Sequence, residues 1–252
     1  MIAVISLLLL LASSASAAAQ APGKITTQQW SQDIELLAEQ APLQHYNFYR
    51  AQTPESFLAA VESLKTKLPT LSNDQVIIEI AKLVSRAKDG HSFVGGYHPM
   101  FESAFGNGLH FESVPIRLYH FRDGIFVYST HQSHQKYLGA ELVSINGHAP
   151  SKALKRVSEV FPVENDMAIK SWGVDGLVTP KILHALGLSD SPGKVTYTFK
   201  KDGELSTVSL NSISSHPKEL LGVVTDKKWL NLANASTTPL YLQNREQNAW
   251  RE

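Results

Sequence analysis

Apolar residues recur at helical spacing in three stretches after residue 25. Trp30, Ile34, Leu37 and Ala41 share one stripe, with Thr26 or Thr27 placed to cap it and Pro42 to close it. Pro54 to Leu68 forms a second helix. Thr53 stands at its N-cap, and Pro54 takes the first helical position, where a missing N–H costs nothing. Phe57, Val61, Leu64 and Leu68 line its face, and Pro69 ends it. The third opens with Ser72-Asn73-Asp74-Gln75, which has the serine-to-glutamine spacing of a capping box, and runs through Val76, Ile80, Leu83 and Ala87. Helices of this kind bury their stripes against one another, which predicts a small helical domain from about Ile25 to Asp89.

From Ser113 the period changes to two. Val114, Ile116 and Leu118 alternate with polar or turn-compatible residues, Arg122-Asp123-Gly124 supplies a turn, and IFVYST resumes as the return strand of a hairpin. Ala140 to Pro150, AELVSINGHAP, is a third strand leaving through an Asn-Gly turn, after which Ser151 is placed to cap a helix carrying Ala153, Leu154, Val157 and Val160. Between Phe161 and Ser191 the apolar spacing is mixed and punctuated by Pro162 and Pro180, as in one or two short helices. Val195, Tyr197 and Phe199 then alternate with polar neighbours, and Lys201-Asp202-Gly203-Glu204 turns the chain into a last strand with Val208 and Leu210. Helices followed by an antiparallel sheet with a helical insertion make an α+β protein.

Composition narrows the function classes. Lysine plus arginine equals aspartate plus glutamate at 23 each, so no net field gathers polyanions, and nucleic acid is not an expected partner. With no cysteine, thiolate chemistry and cysteine zinc sites are excluded, and stability rests on packing. Residues 1–19 have an apolar run from Ile2 to Ala12 and small residues fitting A-x-A cleavage, the pattern of a secretory signal. That run is too short for a membrane span, which needs about 20 apolar residues. Export to the periplasm or the medium is expected, with no stable membrane span after cleavage.

Asp89-Gly90-His91 lies where the third helical pattern stops. As an acid–base couple it lacks a nucleophile, since no G-x-S-x-G elbow occurs. As a metal clip, His91 with His98, like His131 with His134, lacks a ligand grouping such as H-E-x-x-H, and no metal site is predicted. As a helix end the segment needs nothing further: Gly90 suits a left-handed position after the helix, Asp89 can accept from nearby backbone N–H groups, and His91 starts the outgoing chain. Tyr137 to His148, YLGAELVSINGH, also admits two readings. It is any strand with a turn at each end, or its first amides, at Leu138, Gly139 and Ala140, form a nest for a peptide carboxylate beside an edge strand that accepts the peptide.

Taken in order, WSQDIELLAEQAPLQHYNFY, IAKLVSRAKDGHSFVG, VPIRLYHFRDGIFVYS, YLGAELVSINGHAP and PLYLQNREQNAW resemble the amino-terminal half of secreted bacterial serine peptidases of the carboxyl-terminal-processing and tricorn-like family. The resemblance covers nearly the whole chain. Its most specific parts are Asp89-Gly90-His91, a family marker, and the Leu138-Gly139-Ala140 to Asn146-Gly147 segment, which looks like the latter part of a PDZ-like domain. It implies a helical domain over 25–100, a PDZ-like domain over 108–212, and a tail over 213–252 leading toward a peptidase core. No position here matches the family's nucleophile motif, so the resemblance carries over no catalytic residue and no cofactor.

The expectation is a truncated or split member of that family, inactive alone, which recognises or gates unfolded polypeptide or a peptide carboxyl terminus, with a separate chain as one source of the core. A stand-alone periplasmic peptide-binding adaptor is the alternative, and a histidine-based metal binder stands third.

Overall fold

A computed structural model describes residues 25–94, 111–213, 219–220, 223–224 and 228–232. The signal over 1–19, the edges of the two expected domains at 95–100 and 108–110, and most of the tail lie outside the described residues.

Thr26 starts the first helix. Its hydroxyl accepts from Gln29 N at 3.2 Å while Gln29 Oε1 accepts from Thr26 N at 2.9 Å, and this capping box opens α1 (Thr27–Gln44). Pro42 does not close α1 as expected. Its missing N–H removes one bond from the last turn, yet His45 N still reaches Ala41 O at 3.0 Å, and the helix runs on to Gln44. Thr53 caps α2 (Pro54–Lys67), and a capping box between Ser72 and Gln75 opens α3 (Asn73–Ser85), both at the positions their sequences mark. Phe57, Val61, Leu64, Val76 and Ile78 bury the facing stripes, and Trp30 Nε1 donates to Asn73 Oδ1 at 2.9 Å.

The strands β1 (Ile116–His120), β2 (Ile125–His131), β3 (Glu141–Ile145), β4 (Lys194–Lys201) and β5 (Glu204–Asn211) are antiparallel neighbours in chain order. Beyond them, β6 (Glu219–Leu220) and β7 (Val223–Val224) pair with each other, and β8 (Trp229–Asn231) joins β2 alongside Ser129 to His131 as a sixth strand of the main sheet. A bridge between Ser113 and Ile213 draws the chain after β5 to the segment before β1, so the sheet curls toward closure.

Three helices interrupt the sheet between β3 and β4: α4 (Pro150–Val157), α5 (Asp166–Gly176) and α6 (Pro180–Ala185). Ala149, not Ser151, is the N-cap of α4, because Pro150 takes the first helical position and leaves Ser151 inside. Gly176 sets how closely α5 approaches α4: a Cβ there would overlap Val157 Cγ1 and come within 2.8 Å of Phe161 Cε2. Beside β1, α5 runs antiparallel, with Val114 N donating to Val178 O at 2.9 Å and buried Arg117 paired with Asp175 at 3.4 Å.

The protein is thus α+β, with a helical region followed by a six-stranded antiparallel sheet carrying helical insertions. Among the described residues, the buried apolar side chains other than Trp229 form one cluster, from Trp30 through Tyr197 and Phe199 to Leu210. Helical region and insertion also meet through polar contacts. Lys181 pairs with Asp74 at 3.0 Å, and Ser85 Oγ donates to Glu159 O.

Candidate functional site

The loop leaving α3 departs from its expected geometry. The left-handed residue there is Lys88, with φ of 52°, and Gly90 is not in that region. What Gly90 meets is a carboxylate brought from elsewhere in the chain. A Cβ would lie 3.2 Å from Glu164 Oε1, and the Gly90 amide donates to that same oxygen at 2.7 Å. Asp89 does accept from the outgoing chain, taking His91 N at 3.2 Å.

Two further residues that the sequence did not single out complete the loop. His45, at the end of α1, lies 2.9 Å from Asp89 Oδ2 through its Nε2, and Ser92 Oγ donates to the same oxygen at 2.8 Å. His45 Nδ1 accepts from Asn47 N at 3.0 Å, which leaves Nε2 as the nitrogen bearing hydrogen and makes it the donor to Asp89. Serine, aspartate and histidine are therefore together in the wrong order for nucleophilic catalysis. A triad places histidine between the two others so that an imidazole lone pair takes the serine proton. Here aspartate is central, the serine proton points at a carboxylate, and the imidazole lone pair is occupied by a backbone amide.

These bonds hold Asp89 ionised. The Ser92 hydroxyl first, then His45, lower its pKa from 3.8 to about 2 against the opposing effect of burial. Glu164, in the loop before α5, brings a second carboxylate to the same place. One donor atom from each of Asp89, His91 and Glu164 lies within 4.8 Å of the other two.

Leu138, Gly139 and Ala140 are placed together before β3, but their amides are already used. Leu138 N donates to Gln135 O at 3.0 Å, Gly139 N to Val127 O at 2.8 Å and Ala140 N to Tyr137 O at 2.9 Å. The nest expected from the Leu-Gly-Ala segment is filled by the chain's own carbonyls. Nearby, His131 and Ser133 meet at 2.8 Å, and this pair is a helix cap: His131 is the N-cap of the 3-10 turn Gln132–Tyr137, and its Nδ1 also accepts from Ser133 N at 3.3 Å.

The far edge of the sheet is different in character. β5 is in unbroken register with β4 over eight residue pairs. Its two-residue turn, Asp202 at φ 52° and Gly203 at φ 85°, makes Lys201 and Glu204 a hydrogen-bonded pair. By alternation, Leu205, Thr207 and Ser209 direct their N–H and C=O groups away from β4. Hydroxyl contacts from Thr196 to Ser209 at 2.7 Å and from Thr198 to Thr207 at 3.1 Å stiffen the pair. Within β5 there is no proline, lysine or arginine, and its one charged residue, Glu204, stands at the turn.

Compared with known proteins, the chain matches no family model and no curated protein.

Proposed function

We propose that this chain is the peptide-recognising part of an exported serine peptidase of the carboxyl-terminal-processing and tricorn-like family, and that it holds extended polypeptide by adding it as a strand to β5. The observation that carries the recognition half is the eight-residue edge of β5, which pairs with β4 alone among the described strands and whose alternate backbone groups at Leu205, Thr207 and Ser209 face away from it. The family half rests on the order of parts: a capped helical region, the Asp89-Gly90-His91 loop, then a curled antiparallel sheet whose third strand leaves through Asn146-Gly147 into a helix. In this reading hydrolysis belongs to a nucleophile-bearing core outside the described residues.

Titration calorimetry with unstructured peptides tests it. With the amides of 138–140 occupied, peptides with free and amidated carboxyl ends bind alike. Thr207→Pro removes an outward N–H while sparing the β4 ladder, and weakens binding about tenfold, the effect of one hydrogen bond. Absence of binding, or binding indifferent to Thr207→Pro in a variant whose circular dichroism is unchanged, overturns the β5 assignment. Casein hydrolysis by the purified chain, blocked by a serine-directed inhibitor, overturns the division of labour.

A further inference from the structure

We propose that Asp89, His91 and Glu164 form a binding site for a divalent transition-metal ion of the zinc class, joining the loop after α3 to the loop before α5. One imidazole and two carboxylates are the ligand types such ions take when thiolate is absent, and this chain has no cysteine. Donors around an ion at about 2.0–2.2 Å stand roughly 3–4 Å from one another. The three donor atoms lie within 4.8 Å of one another as they stand, so closure of at most about 1–2 Å completes the site. That movement is available to His91, whose side chain is 98% exposed and whose Nδ1 lies 3.9 Å from Asp89 Oδ1.

The two carboxylates are held from behind rather than neutralised. His45 Nε2 and Ser92 Oγ fix Asp89 through one oxygen, and the Gly90 amide fixes Glu164 Oε1. Outer hydrogen bonds of this kind orient ligands in metal sites. Among the described residues neither carboxylate meets a lysine or arginine at ion-pair distance; the groups that meet them are imidazoles, the Ser92 hydroxyl and backbone amides. A divalent cation supplies the missing charge. It would also clip the helical region to the helical insertion, since Gly90 and Glu164 are 74 residues apart in sequence.

The test is equilibrium dialysis of chelator-treated full chain against zinc ion at neutral pH, with His91→Ala and Glu164→Gln beside it. Both changes are at exposed side chains, and Glu164→Gln keeps an acceptor for the Gly90 amide while losing the charge. The expected result is one zinc ion bound to the site, with affinity at least about tenfold weaker in each variant and a zinc-dependent rise in melting temperature that Glu164→Gln abolishes. No retained zinc overturns the proposal. So does zinc bound equally by the parent and both variants, which places the ion on other histidines.

Discussion

His45 and Asp89 meet at 2.9 Å across 44 residues of sequence, and the bond locks the end of α1 to the loop leaving α3. The imidazole is packed as well as bonded: its ring stands edge-on to Phe48 at 5.8 Å, and Phe48 in turn packs edge-on against Phe57 of α2 at 4.8 Å. The Asp89 loop is thereby tied to the centre of the helical region. Both halves of the proposed metal site depend on this anchoring, because a carboxylate free to rotate would not meet Glu164 reproducibly.

Acid unfolding reads that anchoring directly. The Asp89 carboxyl is lowered from 3.8 to about 2 in the fold, so its ionised form is the one the fold stabilises. Its contribution is fully present above the unfolded value and is lost as pH falls from about 4 through about 2. Asp89→Asn lowers stability at neutral pH by about 1–3 kcal/mol through weakened bonds to Ser92 and His45. It also flattens the pH dependence between those values. Denaturant melts at a series of pH values check both, and an unchanged acid limb in Asp89→Asn contradicts the assignment.

What could be read from the sequence tracks how locally each feature is encoded. The capping boxes at Thr26 and Ser72, the Thr53 cap and the turns at Asn146-Gly147 and Asp202-Gly203 are set by residues within three or four positions, and each forms where its sequence places it. Pro42 and Ser151 misled because one lost bond in a final turn is tolerated and because Pro150 competes for the start of α4. The site was illegible for a different reason. Asp89-Gly90-His91 is visible as a motif, but His45 and Glu164 reach it only through tertiary folding, and neither stands in any local pattern. Gly90 shows the cost of reading locally, since the left-handed residue at this helix end is Lys88, and what Gly90 meets is Glu164, far along the sequence.

Packing in the helical insertion makes a separate prediction. Gly176→Ala raises helix propensity by about 1 kcal/mol. Against that, the new methyl meets Val157 Cγ1 and Phe161 Cε2, both on buried side chains. Overpacking of this kind costs about 1–3 kcal/mol, so the net change is destabilising or at best neutral. In a Val157→Ala background the overlap with Val157 is gone while the 2.8 Å approach to Phe161 Cε2 remains, so the same glycine change costs less than in the parent. A double-mutant cycle by denaturant unfolding measures the coupling, and additivity would show that α4 and α5 part at no cost.

Tyr197 governs the alkaline limb. Its side chain is fully buried in the sheet core, and its hydroxyl donates to Leu177 O at 2.9 Å, joining β4 to the end of α5. Burial pushes the phenol well above its ordinary value of 10.0, so the fold stabilises the neutral form. The unfolded phenol ionises first as pH rises, and this residue's contribution to stability falls above about pH 10. Tyr197→Phe leaves the Leu177 carbonyl without that donor and costs about 1–2 kcal/mol at neutral pH, while removing this part of the alkaline decline. Ultraviolet titration checks the cause: one tyrosine ionises only together with loss of far-ultraviolet circular dichroism in the parent protein, and that coupled step is missing from Tyr197→Phe.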